Sequence, residues 1–417
     1  MSANLRVVSS SSGRVSPALL PASLDALLPT LSARFGERAA ALDRDALFPF
    51  DNLAELQAHG LIAAVVPRSA GGGGASLATA RRIVGAVARG EPSTALVLTM
   101  SFLVHRGLSR SDSRWPAHLR DAVWRSAVDE GALANSLRVE PELGSPARGG
   151  LPATVARRAG EGEGDGWRLS GHKLYTTGIP GLRWLLVYAR TDEPEQKVGV
   201  FLVPRDAPGI RIVESWDHLG LRASGSHEVI FDNVALPLDH AVDVRAPAEW
   251  AGGPEADQYA WMIALLGALY DGVAHAARDW LVDFLAHRVP GSLGAPLSSL
   301  QRVQQSVGEI DALLWANTAL LDGLVRATDA DTPPSAVESG LVKHNVTSNA
   351  IRAVELALQL SGNHGLSRHN PLERHYRNVL CSRIHTPQND SILTAAGKTA
   401  FEALSASALH GAAGTTR

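Results

Sequence analysis

The residues able to do chemistry in this 417-residue chain are fifteen histidines, one cysteine and a few well-placed hydroxyls and guanidiniums. The lone thiol, Cys381, excludes an internal disulfide framework and a cysteine-built zinc cage. It lies in no nucleophile motif and reads as a buried small residue. His364, His369 and His375 cluster in sequence, but their spacings of five and six do not align on one helical face. They read as loop and cap residues, and no metal is expected. The other twelve histidines, His105 and His385 among them, are imidazoles able to move a proton near neutral pH. Arg288 follows Phe284-Leu-Ala-His287 at the end of a helical pattern. Alone it is a solvated helix-end arginine favoured by the helix dipole, although its planar fork also suits two phosphates. Thr177 alone is an ordinary strand threonine. No Gly-x-Gly-x-x-Gly follows a strand, which argues against a doubly wound nucleotide-binding dehydrogenase.

Three compositional regimes must position these groups. Residues 1–15 read as a flexible polar lead-in. Residues 16–131 are helical in pattern: Leu24, Leu27, Leu28 and Leu31 repeat at three and four, and Leu53, Leu56 and Leu61 continue a second face. A glycine-rich break over residues 67–74 precedes helices over 78–88 and 94–106. Residues 132–245 change to short strands around Trp167, Trp184 to Ala189, Val198 to Val203 and Val229 to Phe231, which predicts a small barrel or sandwich. From 246 to 417 the pattern is helical again, with candidates over 257–287, 297–328, 335–362 and 391–409, a four-helix bundle. The predicted fold class is α with a central β domain.

Composition sets the outer bounds. A chain that is 45% hydrophobic and 19% charged can bury a sizeable core. A net charge of -3 gives no electrostatic case for nucleic acid. The longest apolar stretch, Tyr259 to Tyr270, falls short of the roughly 20 residues that a bilayer needs. With no apolar signal core near the start, a soluble, cytoplasmic protein without a membrane partner is expected.

The helical–β–helical order resembles the acyl-CoA dehydrogenase superfamily, and local motifs carry the likeness over roughly 370 residues. Asp43-Arg44, Phe48-Pro49, Gly60-Leu61, Val66-Pro67 and Gly71-Gly72 look like its N-terminal signature. Glu140-Pro141 and Gly144-Ser145 resemble its first flavin strand, and Leu169 to Thr177 is similar to the second. Gly220-Leu-Arg-Ala-Ser-Gly-Ser226, with Val229, Phe231-Asp232 and Val234 to Pro237, matches the motif that closes the barrel. Ala357 to Gly362, Gly365, Pro371 to Arg374 and Arg377-Asn378 match a cofactor-clasping turn.

The resemblance implies FAD, with FMN as an alternative, between barrel and bundle. Tyr175 would lie beside the isoalloxazine ring, Thr176 next to it, and Thr177 near N5, where a hydroxyl can donate or accept. Backbone groups of Leu137, Arg138 and Val139 would meet the ring edge, with Val139 where the family usually has a threonine. Ser145 joins this cofactor set; for a thioester substrate it would instead help seat a phosphopantetheine or phosphate group. Arg288, Gln301, Gln359 and Gly362 match positions that hold the phosphates and adenosine, the last two from a neighbouring subunit, so a homotetramer is expected. The aromatic residue usual after that arginine is replaced by Val289-Pro-Gly-Ser-Leu-Gly294.

Members of the superfamily that act as dehydrogenases need a carboxylate base, and this chain lacks it at both known positions. They carry Thr386 and Met262, neither of which is a base at neutral pH. Asp390 or Asp257 would have to reach in from a shifted position. His385 adjoins Thr386 where the flavin-dependent monooxygenase branch commonly has a histidine, and His105 falls where that branch often has a second. The leading expectation is a two-component monooxygenase with catalytic His385, His105 and Thr177. It would take reduced flavin from a separate reductase, use O2 and hydroxylate a small substrate. The alternatives are an acyl-CoA or acyl-carrier-protein thioester dehydrogenase with a displaced base, and a flavin-binding paralogue without turnover.

Overall fold

The leucine spacing near the start of the chain folds as α1 (Leu24–Asp45), which buries Leu28, Leu31, Phe35 and Ala39 along one stripe. The computed structural model describes residues 24–142, 150–160, 165–250 and 255–413, with side chains to residue 402. α2 (Phe50–Ala58) uses Leu53 and Leu56, while Leu61 falls in the turn beyond it. Ser76 caps α3 (Leu77–Gly90), and the Glu91 carboxylate accepts from Ser93 and Thr94 N–H to start α4 (Pro92–Leu108). α5 (Ala117–Glu130) stops at Gly131 in the left-handed region.

Eight strands follow: β1 (Leu133–Leu137), β2 (Val155–Arg158), β3 (Trp167–Thr176), β4 (Leu182–Thr191), β5 (Val198–Pro204), β6 (Ile210–Val213), β7 (His227–Leu236) and β8 (Asp243–Arg245). They form one sheet in the order β6-β7-β3-β2-β4-β5-β8, with β1 parallel to β4. Among the described residues β6 and β8 do not pair, so the expected small barrel is a sheet open between two short edge strands.

The second helical block contains α6 (Ala256–His287), α7 (Gln301–Asp329), α8 (Ala336–Ser361) and α11 (Asn389–Ala413), which are the four expected bundle helices. Two short helices, α9 (Asn363–Leu366) and α10 (Leu372–Leu380), occupy sequence read as loop or left unassigned. α10 carries only nine residues, Leu-Glu-Arg-His-Tyr-Arg-Asn-Val-Leu, which is too few for a periodic pattern to stand out. α6 corrects a second expectation. Its 32 residues are long and apolar enough to cross a bilayer, but 83% of its most apolar window is buried inside the protein. It is the core helix, and Tyr270 and Leu265 in it are fully buried.

The three blocks share one buried apolar core, to which Phe35, Val84 and Phe102, the sheet's Leu185 and Phe231, and Leu265 and Tyr270 of α6 all belong. A polar node joins them as well. Arg377 on α10 donates to Asp43 of α1 (2.5 and 3.0 Å), to Glu373 (2.7 and 3.0 Å) and to the Leu219 carbonyl (2.8 Å). Asn378 Oδ1 accepts from Leu221 N at 2.7 Å, and Arg222 donates to the Asp43 carbonyl at 2.8 Å. A Cβ on Gly220 would stand 2.4 Å from the Arg377 carbonyl, so only glycine allows this approach. Phe48 makes a second seam, because Cβ atoms on Gly181 and Gly225 would fall 2.7 and 3.0 Å from its ring. The motif residues 43, 48, 220, 222, 377 and 378 therefore clamp the blocks together.

Arg377→Met strands two carboxylates that are about 15% exposed. It should cost about 3 kcal/mol, read as a shifted denaturant midpoint. A loss below about 1 kcal/mol would class the pair as an ordinary surface bridge.

Candidate active site

β3 ends in a register irregularity against β7 between Lys173 and Thr176, and Tyr175 takes a left-handed φ of +53° there. That bulge breaks the alternation of the strand. Tyr175 turns outward, 54% exposed, while Thr176 and Thr177 are both buried. Thr177 Oγ1 lies 3.0 Å from Ser226 Oγ, which is 2.8 Å from Ser224 Oγ. The Thr177 carbonyl accepts from Asn135 Nδ2 of β1 at 2.9 Å. Thr176 Oγ1 is buried without a hydrogen-bond partner.

Leu137 is buried, and Arg138 extends outward with its Nε donating to Ser136 Oγ at 3.3 Å. The Val139 carbonyl accepts from Leu174 N at 2.9 Å, which ties this segment to β3. Glu140, fully buried, accepts from Lys173 Nζ (2.6 Å), Thr154 Oγ1 (2.6 Å) and two backbone N–H groups, fixing this segment on β3. Burial alone would raise the Glu140 carboxyl, but these donors and the Lys173 ammonium hold it below its ordinary value. Ser145 lies outside the described residues.

His385 sits between two buried residues that sequence reasoning missed. Its Nδ1 forms a short hydrogen bond with the hydroxyl of Tyr270 on α6. Burial raises the phenol well above its usual range, so Tyr270 keeps its proton. Burial and the Lys343 ammonium lower the imidazole to about 4, so His385 is neutral at pH 7. A neutral phenol whose hydrogen meets Nδ1 leaves the imidazole proton on Nε2. Lys343 on α8 is fully buried, and its ammonium donates to the carbonyls of Ser382 (3.1 Å), His385 (2.8 Å) and Pro387 (2.6 Å). The lysine thus shapes the turn that presents His385. Its signal was legible: Ser339, Gly340, Val346 and Thr347, three and four residues away on the same helical face, are all buried.

The other candidates separate. His105 is fully buried on α4 with both ring nitrogens unpartnered, and burial lowers it to about 4. Met262 is half-buried on α6 and Thr386 is exposed. Asp257 is committed to Arg106 (2.8 and 3.2 Å), and Asp390 is exposed in the first turn of α11. Burial raises the Cys381 thiol to about 11, which leaves it inert as a nucleophile. His375 corrects its expected role as a loop or cap residue: it lies buried inside α10.

The tail candidates gather at one end of the bundle. Arg288 ends α6, exposed and without an ion partner among the described residues, and Gln301 opens α7. Phe284, one turn before Arg288, lies 5.1 Å from His364, two residues beyond Gly362. Gln359 is exposed, and Gly362 (φ +57°, ψ -137°) has open space where a Cβ would be. The orphaned Thr176 hydroxyl, the Thr177 network, the free Arg288 guanidinium and the open glycine fit a flavin dinucleotide.

Three family profiles match in chain order: acyl-CoA dehydrogenase N-terminal domain over residues 29–110, middle domain over 139–234 and C-terminal domain over 264–389. YdbM of Bacillus subtilis (strain 168), named as an acyl-CoA dehydrogenase, is 33% identical over 89% of this chain and 95% of its own. The chain belongs to the acyl-CoA dehydrogenase family. It is by family an oxidoreductase and a flavoprotein. L-evernosamine nitrososynthase of Micromonospora sp. is 29% identical over 85% of this chain and 83% of its own. The structure of KijD3 with FMN and dTDP-3-amino-2,3,6-trideoxy-4-keto-3-methyl-D-glucose aligns at a TM-score of 0.77 and 27% identity, covering 93% of this chain and 96% of that one. In this chain the Tyr270–His385–Lys343 arrangement lies beside Thr386.

Two outcomes test this electrostatic picture. His105, His375 and His385 have folded pKa values of about 4, 3 and 4 against an ordinary 6.5. Each binds its proton more readily when unfolded, so their contribution to stability is intact above pH 6.5 and lost as pH falls toward 4. The thermal midpoint should decline across that window, and labelled imidazole resonances of these three should not titrate near 6.5. Second, Lys343→Met leaves three carbonyls without their ammonium. Hydrogen exchange over residues 382–387 should accelerate about tenfold or more, consistent with a loss above roughly 1.4 kcal/mol of local protection; unchanged exchange would deny Lys343 its positioning role.

Proposed function

We propose that this protein is a reduced-flavin, O2-dependent monooxygenase acting on a small substrate, with an amine as the first candidate class. The observation that carries the reading is a neutral His385, held by Tyr270 and Lys343, next to Thr386 at one of the two positions where the family's base is missing, Met262 standing at the other. A bound flavin supplies two electrons that O2 can accept. The chain's own part is proton management. Tyr270 holds Nδ1 of His385, so Nε2–H is available to donate toward substrate or departing oxygen. Thr177, buried among serines, offers a hydroxyl that can donate or accept, and the buried Trp261 to Leu266 segment of α6 forms part of an apolar wall that excludes water. The amine class comes from the nitrososynthase relative and from the amino sugar in the KijD3 structure.

FAD is the proposed cofactor, its tail held by Arg288, Gln301, Gln359 and Gly362, with FMN as the alternative. A homotetramer, for which Gln359 and Gly362 lie exposed at the bundle end, and a separate flavin reductase to supply the reduced cofactor complete the proposal. The identity with YdbM favours a second reading, acyl-thioester dehydrogenation with Asp390 as a displaced base. Asp257 is a poorer base, since its carboxylate is paired with Arg106.

Reduced flavin-loaded protein mixed with O2 should reoxidise in more than one phase, and an amine panel should yield oxygenated product. His385→Ala should slow product formation by roughly 10²-fold while flavin binding is retained. Rapid bleaching of bound oxidised flavin by acyl-CoA thioesters would sink the oxygenase reading in favour of the dehydrogenase. Arg288→Ala should weaken FAD more than FMN, and equal losses would remove Arg288 from the tail site.

A further inference from the structure

A cavity of about 270 Å³ opens where the start of α3 meets the end of α7, and the proposed reaction does not use it. Ala78, Arg81 and Arg82 line it from α3, and Asp322, Val325 and Arg326 from α7. On each helix these residues stand at i, i+3 and i+4, so each helix gives one short stripe to the same space. Three guanidiniums thus share it with one carboxylate. Asp322 stands one turn before Arg326 and could pair along the helix, yet it turns across to Arg81. The Arg326 side chain is exposed and has no hydrogen-bond or ion partner among the described residues.

Nearby carboxylates do not cancel this excess. Arg82 pairs with Asp25, which sits in the first turn of α1 and is not part of the cavity lining. Asp25 is 85% exposed and Arg82 52%, so their pair is worth little and gives way easily. Asp329, one turn beyond Arg326, spends both carboxylate oxygens on Leu77 N and Ala78 N, at 2.9 and 3.0 Å. It caps α3 and is not free to neutralise Arg326. Guanidinium forks donate in parallel to the oxygens of a tetrahedral oxyanion, and several together favour a phosphate over a singly charged carboxylate. The place lies apart from the flavin candidates. Gln301 opens α7 and Arg326 lies near its other end, about 38 Å away at 1.5 Å per residue. Asp43, which pairs with Arg377, lies at the far end of α1 from Asp25, about 27 Å by the same measure.

We propose that this cavity binds a phosphate-class oxyanion, free or as a phosphomonoester, held by Arg326 and Arg82 with Arg81 behind them. The anion takes Asp25's place on Arg82 and gives Arg326 the partner it lacks. It ties α3 of the N-terminal block to α7 of the bundle. The site does not depend on which reaction the enzyme catalyses.

Titration calorimetry on the full-length, FAD-loaded protein at constant ionic strength would use inorganic phosphate, glycerol 3-phosphate and acetate as probes. At least one phosphate probe should bind saturably, one per chain, with FAD retained and acetate about tenfold weaker or more. The tighter phosphate then names the natural form. Arg326→Gln should weaken phosphate about tenfold or more, and Arg326→Lys should recover part of the loss as a point charge. Phosphate should also slow hydrogen exchange over residues 77–82 about threefold in the wild type and leave the Arg326→Gln variant unchanged. Arg326 is exposed, so its variants fold and decide the matter. Absence of saturable binding, equal affinity in wild type and Arg326→Gln, acetate as tight as phosphate, or binding by the flavin-free protein alone would each overturn the proposal. The last result would assign the anion to the flavin tail at Arg288.

Discussion

The contact on which the rest of the structure depends is the ion pair between Arg377 and Asp43. Arg377 belongs to a nine-residue helix, yet it reaches back across the chain to α1, and its neighbour Asn378 holds the backbone of Leu221 in the central sheet domain. The blocks already share one apolar core, and this pair adds a polar lock on their relative position. A pair this shielded is costly to break, because either partner alone is a charge without water. The same helix buries Leu372 and Val379 in the bundle and leads directly into the turn that carries His385. Where His385 stands is consequently tied to the node that joins the blocks.

Within that frame the candidate site is made of groups that burial keeps neutral. Tyr270 retains its proton, His385 lacks one, and Thr177 sits among serine hydroxyls. The nearby charge, on Lys343, is directed at three carbonyls. A carboxylate base would be at odds with such a setting unless it found a partner, as Asp257 has in Arg106. Hydroxyl and imidazole groups can pass or share protons there without a net charge entering an apolar space. This is the physical content behind favouring oxygen chemistry over proton abstraction from carbon.

The bulge in β3 shows how local backbone and site geometry are linked. An unbroken strand would have alternated Tyr175 and Thr176 across the sheet and sent Thr177 to the same side as Tyr175. One residue in the left-handed region instead sends the tyrosine outward and keeps both threonines inside. Tyr175 then joins Trp216 and His218 in an aromatic group.

Sequence alone determined the order of the long helices and strands and the family resemblance, because periodicity and short motifs are local properties of the chain. Its motifs pointed to His385, Thr177, Arg288 and Gly362 as candidates, and Thr386 and Met262 to the lack of a carboxylate base. It did not find α10, whose nine residues hold too little pattern, nor Tyr270, which looked like one more apolar position in a core helix. Lys343 was a charged residue on a buried face shared with Ser339 and Thr347, and its purpose exists only once the turn at 382–387 folds over it. Hydrogen bonds between groups more than a hundred residues apart leave no periodicity in the sequence. Tertiary structure alone decided which buried groups face each other, and with that their protonation.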